Sequence, residues 1–120
     1  KRKQLLFSIA ERNFNKSILS MKVILAQGDS MLSLLYPITI LLQELLFAKM
    51  NNGTYPNYKG YIGLPLSLKS KILSFKESYT IDEIEKGLTE LGKIDYKQKT
   101  ENSNDEIDLL QFLGVFVGTK

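Results

Sequence analysis

A chain of 120 residues, 43% of them hydrophobic, is long enough for one domain with a real core and too apolar for a disordered tail. It has no Cys and no His, which rules out a disulfide framework, a thiolate metal site and any Ser–His or Cys–His nucleophilic pair within the chain; the expectation is a non-enzyme with no catalytic residue, cofactor or metal. The net charge of +3 is spread out, and only Arg2 and Arg12 among the sixteen basic residues are arginine, so bidentate readout of guanine or phosphate is nearly absent.

In chain order, Leu5, Leu6, Ile9 and Ala10 fall at helical spacing and predict a short helix over 4–11. Asn13 or Asn15 is placed to cap the next helix, because an Asn side chain accepts from the free N–H groups of a first turn. That helix is expected to run to about Gln27, with Phe14, Ile18, Met21, Ile24 and Leu25 in one stripe, and Gly28 stops it. Asp29 then reads as the N-cap of a third helix over 30–50. Pro37 lies inside it, removes one hydrogen bond and clashes with the preceding turn, so a kink or break is expected near Leu35–Tyr36. Residues 51–61, rich in Asn, Gly, Pro and Tyr, read as a loop.

Leu64-Pro65 opens a fourth helix over 66–78, striped by Leu68, Ile72 and Phe75. "TIDE" at 80–83 has the capping-box pattern, in which Thr80 and Glu83 each satisfy the other's backbone N–H. A fifth helix follows to about Lys99, with Ile81, Ile84, Leu88, Leu91 and Ile94 inward. After the polar turn at 100–105, Asp105 is placed to cap a last helix over 106–117, with Ile107, Leu110, Phe112 or Leu113, and Phe116 as its apolar residues. The ending "GVFVGTK" also suits a short strand. With no alternating strands, repeat or βαβ rhythm, the fold class is all-α, a single compact bundle of about six helices over 1–120.

Few constellations carry chemistry. "GTYPNYKG" lacks the phosphate-loop spacing and follows no strand. Tyr55, Tyr58 and Tyr61, interleaved with Lys59, suit base stacking, but a loop folded over the core is the preferred reading. Asp82, Glu83, Glu85 and Glu90 read as a solvated helix face. Asp95 and Lys99, four apart, form either a surface pair or an orienting pair near the tip of a helical hairpin, and spacing does not choose. From Ser30 to Gln43 there is no charge, yet these fourteen residues fall short of the ~20 that span a bilayer, so no membrane span is expected. A helix apolar on nearly all sides exceeds what five small neighbours can wrap, which points to a partner.

Three stretches carry a likeness. "KSILSMKVILAQGDSMLSLLYPITILLQELLFAKM" resembles the helix, Gly-polar turn and long apolar helix found in the C-terminal region of the delta subunit of the bacterial DNA polymerase III clamp loader. "GLPLSLKSKILSFKESYTIDEIEKGLTELGKIDYKQKT" resembles that family's next segment, and "DEIDLLQFLGVFV" its closing helix. The resemblance implies a helical collar domain that packs with related subunits, of gamma/tau and delta-prime type, into a ring of five supporting sliding-clamp loading in DNA replication. It implies no ATP hydrolysis here, and contact with the sliding clamp and DNA only through the parent protein. It implies a cytoplasmic, nucleoid-associated replisome. Because the chain opens on Lys, it is expected to be a piece of a longer protein, and the resemblance implies that it is the C-terminal one. Candidate interface residues are Tyr36, Leu42 and Phe47 on the third helix and Phe112, Val115 and Phe116 at the end, each weighed against a place in the core. The rival expectation is a helical nucleic-acid-binding module of another replication or repair protein.

Overall fold

Arg2–Ala10 form α1, which buries Leu5, Leu6, Ile9 and Ala10. The computed structural model describes residues 2–53, 63–100 and 104–118; the Tyr–Lys segment holding Tyr55, Tyr58, Lys59 and Tyr61 lies outside them. Asn13 is the cap of α2 (Phe14–Ala26), its side chain accepting from the Lys16 N–H at 3.0 Å. Gly28 turns the chain at φ 97°, a conformation that glycine adopts without strain, and so ends α2.

The third helix, α3 (Met31–Asn51), differs from expectation in two respects. Its cap is Ser30, not Asp29. The Ser30 hydroxyl accepts from the Ser33 N–H and the Ser33 hydroxyl accepts from the Ser30 N–H, both at 3.2 Å. Asp29 instead faces Arg2 at 3.8 Å. Asp105, at the start of the last helix, adds a third satisfied donor by accepting from the Met31 N–H at 3.1 Å. Secondly, α3 runs unbroken past Pro37. Leu34, Leu35, Ile38 and Leu41 are buried on either side of the proline, and packing of that face outweighs the one lost hydrogen bond.

The helix expected over 66–78 is instead three short pieces: α4 (Leu66–Lys69), α5 (Ile72–Phe75) and a 3-10 turn (Lys76–Ser78). At the break the Ser70 hydroxyl donates to the Ser67 carbonyl at 3.0 Å, and further on the Ser74 hydroxyl donates to the Lys71 carbonyl at 2.7 Å. Leu68 and Ile72 are buried all the same, and Phe75 packs on the core. Lys69 of α4 meets Glu44 of α3 at 3.4 Å inside the protein.

The capping box at 80–83 forms as expected and opens α6 (Ile81–Thr100). The Glu83 N–H donates to the Thr80 hydroxyl at 3.1 Å, and the Thr80 N–H donates to Glu83 Oε1 at 2.9 Å. The buried stripe begins at Ile84 rather than at Ile81, which is exposed. The last helix, α7 (Asp105–Phe116), is capped by Asn104, whose side chain accepts from the Ile107 N–H at 3.0 Å. The end of the chain is helical through Phe116 and not a strand. Among the described residues there is no strand, and the expected all-α bundle is what the structure shows.

α3 lies along α6, α6 and α7 form a hairpin, α7 packs on α2, and α1 sits on both α2 and α3. At the hairpin the buried Asp108 accepts from Lys97 at 3.3 Å and from Gln98 at 2.7 Å. Where α6 crosses the bundle, Gly87 is required. A Cβ there would stand 2.7 Å from a Phe116 ring carbon and 2.8 Å from a Leu42 methyl.

A polar latch closes the bundle. Arg12, in the turn after α1 at φ 59°, has a side chain that is only 7% exposed. Its guanidinium donates to both Glu83 carboxylate oxygens at 2.8 Å, to the Ser78 carbonyl at 2.9 Å and to the Val117 carbonyl at 3.3 Å. It also lies over the Tyr79 ring, 4.6 Å from its centre, and that ring stacks on Phe116 at 4.1 Å. Tyr79 donates its hydroxyl to the Ile9 carbonyl. Glu83 is thus no part of a solvated acidic face. The bonds from Arg12 hold its carboxyl at about 2, burial pushes the Tyr79 phenol up, and the bond to Glu83 pushes Arg12 up. Because the folded-state pKa of Glu83 lies below its ordinary value of 4.5, its contribution is present above that pH. Acid titration is therefore expected to remove stability between pH 4.5 and about 2, on the order of 2 kcal/mol. Glu83→Gln, followed by circular dichroism against pH, is expected to flatten that step.

Candidate partner interface

At 3.6 residues per turn, Leu32, Tyr36, Gln43 and Met50 fall on one side of α3, opposite its buried side. All four are exposed, with Leu32 at 45%, Tyr36 at 57% and Met50 at 66%. Phe47, half-buried, joins the same side. None carries a charge, in a chain where 24% of residues do. The charges α3 does possess are engaged elsewhere. Glu44 is buried with Lys69, while Lys49 donates to the Lys76 carbonyl at 3.1 Å and lies 3.6 Å from Glu77. The outer side of α3 is therefore an uncharged stripe along a helix of 21 residues, about 30 Å.

Beside the stripe a groove of about 440 Å³ separates α3 from α6. Leu32, Leu35 and Tyr36 wall it on one side, and Leu88 and Leu91 on the other. Gly92 lies between them with nothing within 4 Å of where its Cβ would be. Asp95 and Lys99 sit at one end, paired at 3.1 Å and both substantially exposed, so this spacing forms a surface ion pair at the groove's edge.

Further apolar side chains are exposed on α2 and α7, which pack together: Leu19 (65% exposed) and Val23 on α2, and Ile107 and Leu110 on α7.

The six residues expected at an interface divide evenly. Tyr36 and Phe47 fall on the stripe, and Val115 is exposed on α7 beside α6. Leu42, Phe112 and Phe116 are instead buried in the domain's own core. Leu42 and Phe116 close over Gly87, and Phe112 stacks on Phe116 at 5.5 Å. Sequence reasoning missed Leu32, Met50, Leu19 and Val23. Their signal was present: each lies on the side of its helix away from the buried stripe, where a polar residue is the ordinary choice. Compared with family models, with curated proteins and with solved structures, the chain matches none of them.

Proposed function

We propose that the chain is an assembly domain, the helical collar of a delta subunit of a bacterial DNA polymerase III clamp loader. The observation that carries this reading is the exposed apolar surface of one small bundle, in two sets: the α3 stripe with its groove, and Leu19, Val23, Ile107 and Leu110 on α2 and α7. A subunit inside a ring meets two neighbours through two different surfaces, and lasting interfaces resemble a cut core. The sequence likeness to the delta collar adds the identity of the neighbours, loader subunits of gamma/tau and delta-prime type. In this reading the domain is not an enzyme, binds no cofactor, works in the bacterial cytoplasm, and reaches the sliding clamp and DNA only through the parent protein.

Full-length protein containing this chain, mixed at micromolar concentration with the other loader subunits, is expected to be retained with them. Because both sets are apolar, retention is expected to persist from about 0.05 to about 0.5 M salt, where exposed charge pairs are screened. Retention of no loader subunit would overturn the assignment. Binding to DNA that vanishes over that salt range, without subunit binding, would point to the nucleic-acid module instead.

A further inference from the structure

We infer that residues 66–78, which form α4, α5 and the 3-10 turn, are a strap that opens from α3 as one unit, and that the buried Glu44–Lys69 pair sets how readily it opens. The device lies within the chain itself and needs no partner.

The first support is local structure. α4 and α5 have four residues each, and a helix that short does not stand by itself in water. None of the three pieces is capped by a side chain. Their apolar hold on the bundle is small. Leu68 and Ile72 are fully buried, and Phe75 meets Phe7 of α1 edge-on at 6.2 Å. Leu66 and Leu73, by contrast, are 80% and 43% exposed. Segments held by few buried apolar contacts are those that open before the rest of a fold.

The second support is the kind of anchor. Glu44 of α3 is fully buried and Lys69 of α4 nearly so, 3.4 Å apart. Removing both charges from water offsets much of their attraction, so the pair holds the strap shut less firmly than apolar side chains of the same bulk, and opening returns both charges to water. The neighbouring anchors are polar too. Lys49 of α3 donates to the Lys76 carbonyl at 3.1 Å, and Lys76 donates to the Asn52 side chain, contacts that water replaces at little cost.

The third support is a fixed end. The Ser78 carbonyl accepts from Arg12 at 2.9 Å, and Tyr79, the next residue, is buried beneath that guanidinium. The latch therefore stops the opening at Ser78 and leaves α6 in place. What the strap covers is α3, on which α5 and the 3-10 turn rest. Leu41 and Ala48 stand one turn either side of Glu44, and Leu45 one turn before Lys49, all three fully buried. Opening bares this side of α3, which faces away from the exposed stripe.

Native-state hydrogen exchange on the whole protein tests the device. The Lys69, Ser70, Ser74 and Phe75 amides are hydrogen-bonded within the strap. They are expected to exchange together, at least ~100-fold faster than the Leu41 and Leu45 amides of α3. In Glu44→Leu/Lys69→Met, which keeps bulk and removes both charges, strap exchange is expected to slow at least ~10-fold. In Glu44→Gln, which leaves the Lys69 charge buried without that carboxylate, it is expected to quicken at least ~10-fold. Strap amides as slow as those of α3 would show that the segment opens only with the whole domain, and would overturn the inference. So would four unrelated rates, which mean fraying, or unchanged strap exchange in the doubly substituted protein. Should either variant fail to fold, the other decides.

Discussion

Arg12→Ala is expected to lower the stability of the domain by about 3 kcal/mol and its melting temperature by roughly 10–20 °C. The guanidinium serves Glu83, the Ser78 carbonyl and the Val117 carbonyl at once, and so ties the turn after α1 to the start of α6 and the end of α7. Loss of one member of a buried pair costs about 3–5 kcal/mol. Glu83 is 29% exposed and regains some water, which places the loss at the lower end. Arg12→Lys is expected to recover less than half, since one ammonium cannot match a planar fork spread over three acceptors. Arg12→Gly separates side chain from backbone. It relieves the left-handed φ of 59° and should lie about 1 kcal/mol above the alanine variant. Thermal and urea unfolding of the three variants measures these differences, and equal stability of parent and Arg12→Ala would show the latch to be dispensable.

Gly87→Leu is expected to be at least as damaging, losing about 3 kcal/mol or more through overpacking. The Cβ alone would lie 2.7–3.0 Å from Phe116 and Leu42, both fully or nearly fully buried, and the rest of the side chain has nowhere to go. Gly92→Ala, on the same helix, should instead gain about 0.5–1 kcal/mol. Opposite signs for two glycines of α6 would show that surroundings, and not residue type, set the outcome. A shared sign would contradict the packing of α6 against α3 and α7.

Much of this bundle was legible in the sequence because its signals are local. Gly28 and the Thr80–Glu83 box mark helix ends by backbone chemistry that needs no neighbours. The errors arose where a distant contact decided. Asp105 looks like the cap of α7 in isolation, but its carboxylate is spent on α3, and Asn104 caps instead. Glu83 looks like one acid among four until Arg12, 71 residues away in sequence, folds onto it. The segment 66–78 has a helical stripe, yet it folds as three short pieces, a division that hydrophobic spacing does not register. The candidate interface was half legible for a related reason. An apolar count identifies surplus on α3 but not its direction, so Tyr36 was found on the outside and Leu42 proved to be core.

The absence of Cys from the sequence makes one measurement direct. In Gln43→Cys the only thiol of this chain stands at the middle of the α3 stripe, and in Glu85→Cys it stands on the exposed, charged side of α6. Both should react quickly with a maleimide in the free domain. If the proposed assembly holds, adding subunits of a bacterial clamp loader is expected to protect the thiol at position 43 at least ~10-fold while that at position 85 stays reactive, because an apolar interface excludes water and reagent alike. Equal labelling of position 43 with and without those subunits, in a mixture where the complex has demonstrably formed, would contradict assembly through the outer face of α3.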